Sequence, residues 1–330
     1  MKVLVTGAGG FLGSYLVEQL LAQGHQVRGL TRRNPSRLAG LGIEVVEADL
    51  RDRRAVVDAC RGVQIVFHTA AVIGLWGPWK HFYRTNTQGT EHVVEGCRTH
   101  GVGRLVYTSS PSVTFDGTSQ AGVDESVGYS RRWLCHYPRS KALAEQCVLG
   151  ANGRDGLLSC ALRPHLIWGP RDPHLVPRLI ARARAGRLRR IGDGTNRIDT
   201  VYVENAAAAH VQAADALVPG SPVAGSAYFI SQGEPVNCWE WISRLLGLAG
   251  LPPVAKSTTA RAAWRLGAMM ELAWTLLRLP GEPPMTRFLA VQLSTSHYFD
   301  ISRARRDFGY QPKVSTAEGM QRLAAALRGQ

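Results

Sequence analysis

Lysine is scarce in this 330-residue sequence, and its cysteines are scattered. The six cysteines form no C-x-x-C pair, so the sequence indicates neither a zinc site nor a disulfide framework. We expect no signal peptide, because Met1 and Lys2 lead straight into an apolar run. We therefore expect a protein without a bound metal, in the reducing cytoplasm.

Positive charge comes almost entirely from arginine. Lys and Arg together number 39, only 5 of these are Lys, and the formal net charge is +14. A charge of this size suits nucleic acid, an anionic membrane surface or acidic small molecules. No nucleic-acid-binding motif accompanies it, and the basic run at 187–190 is too short to count as one. We therefore expect no nucleic-acid partner.

No apolar run reaches the roughly 20 residues that cross a bilayer, so no transmembrane segment is expected. The most apolar stretch of the second half, residues 262–277, is interrupted by Arg265 and Glu271. Three interpretations of this stretch stay open: a buried core helix, an apolar lid over a long substrate, and peripheral contact with a membrane. Trp264 lies within it and is a candidate substrate contact.

Short apolar runs alternate with helical patterns through the first half, which is the rhythm of a doubly wound parallel sheet. Strands are predicted at 3–5, 26–30, 44–46, 64–67, 104–107 and 158–162. Beyond Pro164 the rhythm breaks, and helices are predicted at 176–185, 204–216, 238–248, 260–277 and 316–326. We expect an α/β fold with a Rossmann-type NADP-binding domain over 1–164, a return to that domain around 199–217, and a smaller mixed α/β substrate-binding domain over 165–330.

A glycine-rich turn, T-G-A-G-G-F-L-G at 6–13, follows the first strand. Gly7 permits a backbone conformation that other residues rarely adopt, and Gly10 lets the chain approach a pyrophosphate. Gly13 allows the helix to pack closely on the strand. The helix that begins at Phe11 and Leu12 presents free N–H groups to the phosphates. The turn therefore predicts a dinucleotide site.

The end of the second strand carries Arg32 and Arg33 where NAD-binding folds usually place an acid at the ribose 2′-hydroxyl. Guanidinium groups pair with a 2′-phosphate that a carboxylate would repel, so we expect NADP(H). The alternative is that both arginines are solvated loop residues. Asp49, followed by Leu50, either contacts the adenine amino group or caps the helix that starts near Asp52.

A Y-x-x-x-K motif places Tyr137 and Lys141 on one face of a predicted helix. Ser110 lies at the end of the fifth strand, at the edge of the sheet where open α/β folds bind ligands. We expect the Lys141 ammonium to lower the pKa of Tyr137 so that the phenol acts as an acid or base. Ser110, rather than its neighbour Ser109, is expected to donate a hydrogen bond to a substrate carbonyl oxygen.

Together these motifs resemble the extended short-chain dehydrogenase/reductases over essentially the whole chain. The matching features are the glycine turn at 6–13, D-L at 49–50, H-x-A-A at 68–71, N-x-x-G-T at 86–90, Ser110, the Y-x-x-x-K motif, and blocks at 162–170, 201–206 and 308–312. The resemblance implies that Asn86 supports a structured proton path. It also implies that Ala70, Ala71, Tyr137 and Lys141 contact the cofactor, and that the backbone after Pro164 meets the nicotinamide.

Pro164 and His165 stand where nucleotide-sugar epimerases and dehydratases usually carry an asparagine. This departure resembles the 3β-hydroxysteroid dehydrogenase-like branch, whose substrates are large and apolar. The sequence segments at 174–179, 181–188 and 277–282 resemble those of the reductases of bacterial long-chain olefin biosynthesis, which act on 2-alkyl-3-oxoalkanoic acids with NADPH. The resemblance implies a lipid-like substrate, and His165 is a candidate contact for it. Arg131, Arg132 and Arg171 are candidates to hold its carboxylate by their position in or near the expected cleft, unless they are ordinary surface residues.

The leading hypothesis is thus an NADP(H)-dependent oxidoreductase that interconverts a ketone and a secondary alcohol on a bulky apolar substrate. A 3β-hydroxysteroid or sterol dehydrogenase and a nucleotide-sugar epimerase or dehydratase are the alternatives among enzymes. A non-catalytic dinucleotide-sensing module is the alternative from another class, and the intact Ser110, Tyr137 and Lys141 argue against it. A homodimer and an assembly with other enzymes of a pathway both stay open.

Overall fold

A computed structural model describes residues 1–32 and 35–329 of the chain. Its strands are β1 (Lys2–Thr6), β2 (Gln26–Thr31), β3 (Glu44–Glu47), β4 (Ile65–His68), β5 (Arg104–Thr108), β6 (Gln120–Val123), β7 (Leu158–Pro164), β8 (Ile167–Trp168), β9 (Arg190–Ile191), β10 (Arg197–Ile198), β11 (Val201–Tyr202), β12 (Ala227–Ile230), β13 (Val236–Asn237), β14 (Ser257–Thr258) and β15 (His297–Phe299).

The α-helices are α1 (Phe11–Ala22), α2 (Pro35–Ala39), α3 (Arg53–Ala59), α4 (Trp79–Phe82), α5 (Gly89–Thr99), α6 (His136–Gly150), α7 (Leu175–Arg184), α8 (Val203–Ala216), α9 (Cys238–Leu248), α10 (Ala260–Leu277), α11 (Arg287–Gln292), α12 (Ser302–Phe308) and α13 (Thr316–Arg328). A π-helical segment, Tyr83–Gln88, joins α4 to α5. Short 3₁₀ turns lie at Pro111–Val113 and Arg154–Gly156.

Seven parallel strands form the central sheet, in the order β12-β7-β5-β4-β1-β2-β3. The six strands predicted for the first half all lie in it, so the predicted α/β class and Rossmann-type sheet are confirmed. The chain crosses from β3 at one edge back to β4 beside β1, and this reversal opens a crevice at the carboxyl ends of β1 and β4.

Alternate side chains of the buried strands pack against helices on opposite faces of the sheet. Val3 and Val5 of β1 belong to a core shared with α1 and α8, whereas Leu4 belongs to a core shared with α3, α5 and α6. This arrangement explains why the strands read as continuous apolar runs, since both faces of a parallel sheet are covered. It also fixes α1 and α6, which carry the glycine turn and the Y-x-x-x-K motif.

The two halves of the chain exchange elements. β12, from beyond the expected return at 199–217, completes the large sheet by pairing with β7. Conversely, β6 comes from the first half of the chain and joins a four-stranded sheet, β13-β10-β15-β6, whose other strands come from the second half. The second half has its own apolar core, in which Trp168, Trp239 and Trp241 are almost fully buried. The crevice at the sheet edge therefore lies between two packed bodies that share strands.

Candidate active site

The glycine turn approaches its neighbours too closely for any side chain. Gly7 has φ +72°, and a Cβ there would lie 2.9 Å from the backbone N and Cα of Ala70. A Cβ on Gly13 would lie 2.1 Å from the carbonyl oxygen of Gly7. Helix α1 begins after Gly10 without a side-chain cap, so the first-turn N–H groups are left for a ligand. A pyrophosphate is the anionic group that fits this cradle.

A cleft of about 720 Å³ runs from this turn to the second half of the chain. Most of the residues proposed from the sequence line it, namely Gly7, Gly10, Phe11, Leu12, Gly13, Arg32, Leu50, Ala70, Ala71, Ser110, Tyr137, Lys141, Pro164 and His165. The sequence reasoning missed part of the opposite wall, which consists of His81, Phe288 and Gln292 together with Ile73 and Leu75. No motif marks these residues, because they come from segments remote in sequence.

Ser110, Tyr137 and Lys141 meet at the carboxyl edge of the sheet. Ser110 follows β5 and caps a 3₁₀ turn, its hydroxyl lying 2.8 Å from that of Ser112. Ser110 is close enough to the Tyr137 hydroxyl, in the first turn of α6, to favour a lower pKa of that phenol. Ser109 also lines the cleft, but its hydroxyl is buried without a hydrogen-bond partner. Ser110 is therefore the serine adjacent to the tyrosine.

The expected lowering of the Tyr137 pKa is wrong for this structure. Burial raises the pKa of Tyr137 to about 12, and the Ser110 hydrogen bond only partly opposes this. Lys141 is not among the groups that shift this pKa, and its Nζ donates to the Thr108 carbonyl at 2.5 Å and lies 4.2 Å from the Tyr107 ring centre. Tyr137 is therefore a protonated phenol at neutral pH.

Lys141 is itself perturbed by burial. Its side chain is almost fully enclosed, and desolvation lowers its pKa to about 7 although Glu145 acts in the opposite direction. Removing an ammonium from water without a contacting carboxylate disfavours the charged form. The lysine is therefore held by a carbonyl dipole and an aromatic face rather than by an ion pair.

Hydrogen bonds of the buried His68 connect α5 to the segment 69–75 after β4, which is called the cleft loop below. Thr90 Oγ1 donates to the Asn86 carbonyl at 2.6 Å, so it accepts from His68 Nε2 at 2.8 Å. His68 Nδ1 then accepts from Thr6 Oγ1 at 2.6 Å, and Thr6 Oγ1 accepts from the Ala70 N–H. The H-x-A-A motif contained this histidine, but no role was predicted for it. These hydrogen bonds require a neutral His68 ring with its proton on Nε2.

Asn86 lies below the cleft rather than in its lining. Its side-chain amide donates to the Val72 carbonyl at 2.9 Å and to Ser140 Oγ at 3.0 Å, and its oxygen accepts from the Val72 N–H at 2.7 Å. These contacts join the cleft loop to α6 between Tyr137 and Lys141. The proton path implied by the resemblance stays a prediction.

Asp49 forms ion pairs beside the position expected for the adenosine ribose. Arg32 Nη1 lies 2.7 Å from Asp49 Oδ2, and Arg51 makes three further hydrogen bonds to the same carboxylate, one from its backbone N–H and two from its guanidinium. Arg51 and Arg32 hold the pKa of Asp49 well below its usual range. The helix-cap interpretation of Asp49 is wrong, because Asp52 caps α3 by accepting from Ala55 N. Arg33 lies outside the described residues.

His165 forms a paired ring contact on the cleft wall. His297 Nε2 donates to the Gln292 carbonyl at 2.8 Å, which leaves His297 Nδ1 to accept from His165 Nε2 at 2.6 Å. Burial, and then the neighbouring ring, keep the pKa of His165 well below its usual value. His165 is thus neutral and directly follows Pro164 in the cleft lining.

The other proposed substrate residues are not among those that line the cleft. Arg131 and Arg132 are exposed before α6. Arg171 pairs with Glu18 at 2.6 Å and covers the Tyr15 ring. Trp264 is 41% exposed, with Arg287 over its ring at 5.9 Å. In this structure none of the three arginines is placed to hold a substrate carboxylate in the cleft.

The parallel sheet, the glycine cradle and the Ser-Tyr-Lys group define an extended short-chain dehydrogenase/reductase. The chain belongs to the 3-beta hydroxysteroid dehydrogenase/isomerase family, whose profile matches residues 4–258. It is 50% identical over 329 residues to the 2-alkyl-3-oxoalkanoate reductase of Stenotrophomonas maltophilia, covering 99% of each chain. It is 46% identical over 330 residues to the reductase of that name from Shewanella oneidensis, covering 98% of this chain and 85% of the relative.

Solved structures share the fold along the whole chain. The UDP-glucose 4-epimerase of Thermus thermophilus in complex with NAD superposes with a TM-score of 0.76 at 25% identity. The match covers 100% of this chain and 99% of the epimerase. The architecture around the cleft is therefore common to enzymes of different activity, and the fold does not choose among substrates.

Acid sensitivity follows from the buried His68. Desolvation, and then the Lys141 charge, lower the pKa of His68 to about 3 from a usual 6.5, so the folded protein keeps the ring neutral. The unfolded chain binds a proton below pH 6.5, so stability falls as pH drops through this value and continues to fall towards about 3. We expect this histidine to contribute about 1.4 kcal/mol per pH unit to the slope.

Urea unfolding between about pH 6 and pH 4 measures this slope. His68→Gln is expected to make it shallower by roughly that amount, whatever its effect on absolute stability. His81→Gln, at an exposed position, is the matched control and should leave the slope unchanged. Equal slopes for wild type and His68→Gln would contradict the prediction.

Proposed function

We propose that this protein is an NADP(H)-dependent reductase that converts the ketone of a long-chain 2-alkyl-3-oxoalkanoic acid into a secondary alcohol. The observation that carries the proposal is the meeting of Ser110, Tyr137 and Lys141 in one cleft with the glycine cradle. The similarity to two 2-alkyl-3-oxoalkanoate reductases over nearly the whole chain supports the substrate class. The site is thus assigned a carbonyl reduction.

The residues of the chain supply binding and the proton. The nicotinamide, when bound, supplies the hydride for the carbonyl carbon. Ser110 donates a hydrogen bond to the substrate oxygen, which stabilises the negative charge that develops there. Tyr137 transfers its phenol proton to that oxygen, and the product is the secondary alcohol. Tyr137 is protonated at neutral pH, as this direction requires of the proton donor.

A nicotinamide dinucleotide fits the cleft on three observations. Gly7, Gly10 and Gly13 leave no room for a side chain in the turn, the first turn of α1 has no side-chain cap, and the lining continues from Gly7 to Pro164. NAD in the solved epimerase, which shares the fold, supports the same class of cofactor here. Our choice of NADP(H) rests on Arg32, which lines the cleft and is half-exposed in its ion pair with Asp49. A 2′-phosphate would compete with Asp49 for this guanidinium.

A 3β-hydroxysteroid or sterol dehydrogenase is the second candidate, favoured by the family to which the chain belongs. The same Ser-Tyr-Lys chemistry serves a secondary alcohol on a steroid ring. A nucleotide-sugar substrate has less support, because the cleft wall is apolar at Ile73, Leu75 and Phe288. A substrate series separates these candidates.

Cofactor choice is tested at the end of β2. Replacing Arg32 and Arg33 with alanine should weaken use of NADPH by about 1–3 kcal/mol in kcat/KM and leave NADH nearly unaffected, because only NADPH carries the 2′-phosphate. Arg51→Ala is the matched control, since it also removes a partner of Asp49 but does not line the cleft. A higher kcat/KM of the wild type with NADH than with NADPH would overturn the assignment.

Proton transfer is tested with Tyr137→Phe. Because only the hydroxyl is lost, we expect turnover to fall by about a hundredfold or more while NADPH affinity stays close to that of the wild type. Lys141→Ala is expected to weaken both turnover and cofactor binding. Stopped-flow hydride transfer and fluorescence titration of NADPH provide the two readouts. A Tyr137→Phe enzyme with near wild-type kcat would remove Tyr137 from the mechanism.

Substrate class is tested with a homologous series of 2-alkyl-3-hydroxy acids, assayed in the oxidative direction. Each methylene buried in the cleft contributes about 0.8 kcal/mol, so kcat/KM should climb steeply with alkyl length until the pocket is full. A 3β-hydroxysteroid and a UDP-sugar are run beside the series. A flat response to chain length, or a preference for the steroid or the sugar, would reject the acyl substrate and leave the oxidoreductase assignment standing.

A further inference from the structure

Helix α10 presents an apolar face to the outside of the molecule. Met269 is 66% exposed, Leu272 is 59% exposed and Leu276 is 70% exposed. The spacing of these residues places them on one side of the helix. Large apolar side chains seldom form an exposed row on a soluble surface without a partner. The face is therefore a candidate for contact with something outside this chain.

The opposite side of α10 is fully used within the fold. A Cβ on Gly267 would lie 2.6 Å from the backbone of Thr286, so α10 and the start of α11 are in close contact. Buried Glu271 accepts from the N–H of Arg287 at 2.7 Å and from its guanidinium at 2.6 Å. The helix cannot roll its apolar face inward without breaking these contacts.

Arginine surrounds the N-terminal end of this face. Arg261 and Arg265 continue the row of Met269, Leu272 and Leu276 at steps of four residues. β14, just before α10, pairs with β9, which brings the basic run at 187–190 to the same end. Neither 173–192 nor 241–270 contains a single Asp or Glu. The surface beside the apolar face is thus strongly positive.

The same helix adjoins the mouth of the cleft. α11, which packs on α10, contributes Phe288 and Gln292 to the cleft lining. The segment after α10 is fixed to the cleft loop, because Glu282 accepts from the Leu75 N–H at 3.0 Å and pairs with Arg178. Ile73 of that loop lines the cleft and is 49% exposed. Exposed apolar side chains therefore lie both at the cleft mouth, where Ile73 is, and on the neighbouring helix α10.

We propose that the outer face of α10 docks on an anionic lipid membrane, with the cleft mouth turned towards the lipid. An apolar row flanked by arginines is the pattern of a helix that lies in a membrane interface. Within the described ranges, no helix is long and apolar enough to span a bilayer, so the contact is peripheral. Charge complementarity favours lipid over a second copy, because each copy carries a net charge of +14.

Vesicle flotation tests the proposal without any turnover, so its outcome is independent of the proposed function. Vesicles of phosphatidylcholine alone are compared with vesicles of phosphatidylcholine and phosphatidylglycerol in equal parts. The wild type should float with the anionic vesicles about tenfold or more better than with the neutral ones, and should be released by salt. Met269→Gln, Leu272→Gln and Leu276→Gln together should reduce that binding by about tenfold or more, because glutamine adds no charge and keeps helix propensity.

The matched control is Leu41→Gln with Val218→Gln, which removes exposed apolar side chains elsewhere and should float like the wild type. Arg261→Gln with Arg265→Gln should diminish the preference for anionic vesicles. Three outcomes would overturn the proposal: the wild type does not float with vesicles, it floats equally with anionic and neutral vesicles, or the triple variant floats as well as the wild type. Light scattering that finds a wild-type dimer and a monomeric triple variant, without vesicle binding, would assign the face to a second copy instead.

Discussion

The burial of the Lys141 ammonium is the constraint on which the rest of the site depends. Within residues 1–32 and 35–329 no carboxylate pairs with this group, and its hydrogen bond goes to the Thr108 carbonyl at the end of β5. The Tyr107 ring covers it, and its charge adds to the desolvation that keeps His68 neutral. A buried cation without a counter-ion weakens the free protein, as its lowered pKa indicates. Function explains the retention of such a group better than stability does.

Buried neutral polar groups near the lysine position the loop that follows β4. Burial keeps His68 neutral and two threonines fix its tautomer, and one of them also accepts from the Ala70 N–H beside Gly7. Asn86 connects the next residues of the loop to α6 through Ser140. The cradle for the pyrophosphate and the helix that carries Tyr137 are thus joined by one continuous hydrogen-bond network. A change in its interior would disturb binding and proton transfer together.

The sequence predicted those features that depend on neighbours along the chain. The glycine turn and the Tyr137 to Lys141 spacing were readable because steric limits and helix periodicity act over a few residues. The surroundings of Arg171 were not readable, since its partner Glu18 lies 153 positions away. The direction of the Tyr137 pKa shift also depends on tertiary burial, which local spacing does not report. For the same reason local sequence patterns did not predict that His81 and Phe288 line the cleft.

Contacts across the second half connect the outer helix to the reactive end of the cleft. Glu271 of α10 holds the N-terminus of α11, and Gln292 at the other end of α11 accepts from His297. His297 in turn fixes the ring of His165, which directly follows Pro164. The six-residue helix α11 is thus held at both ends, by α10 on one side and by a neutral histidine pair on the other. A long apolar substrate bound in the cleft would contact Phe288 of this helix, so packing against α11 would help to set its orientation towards Tyr137.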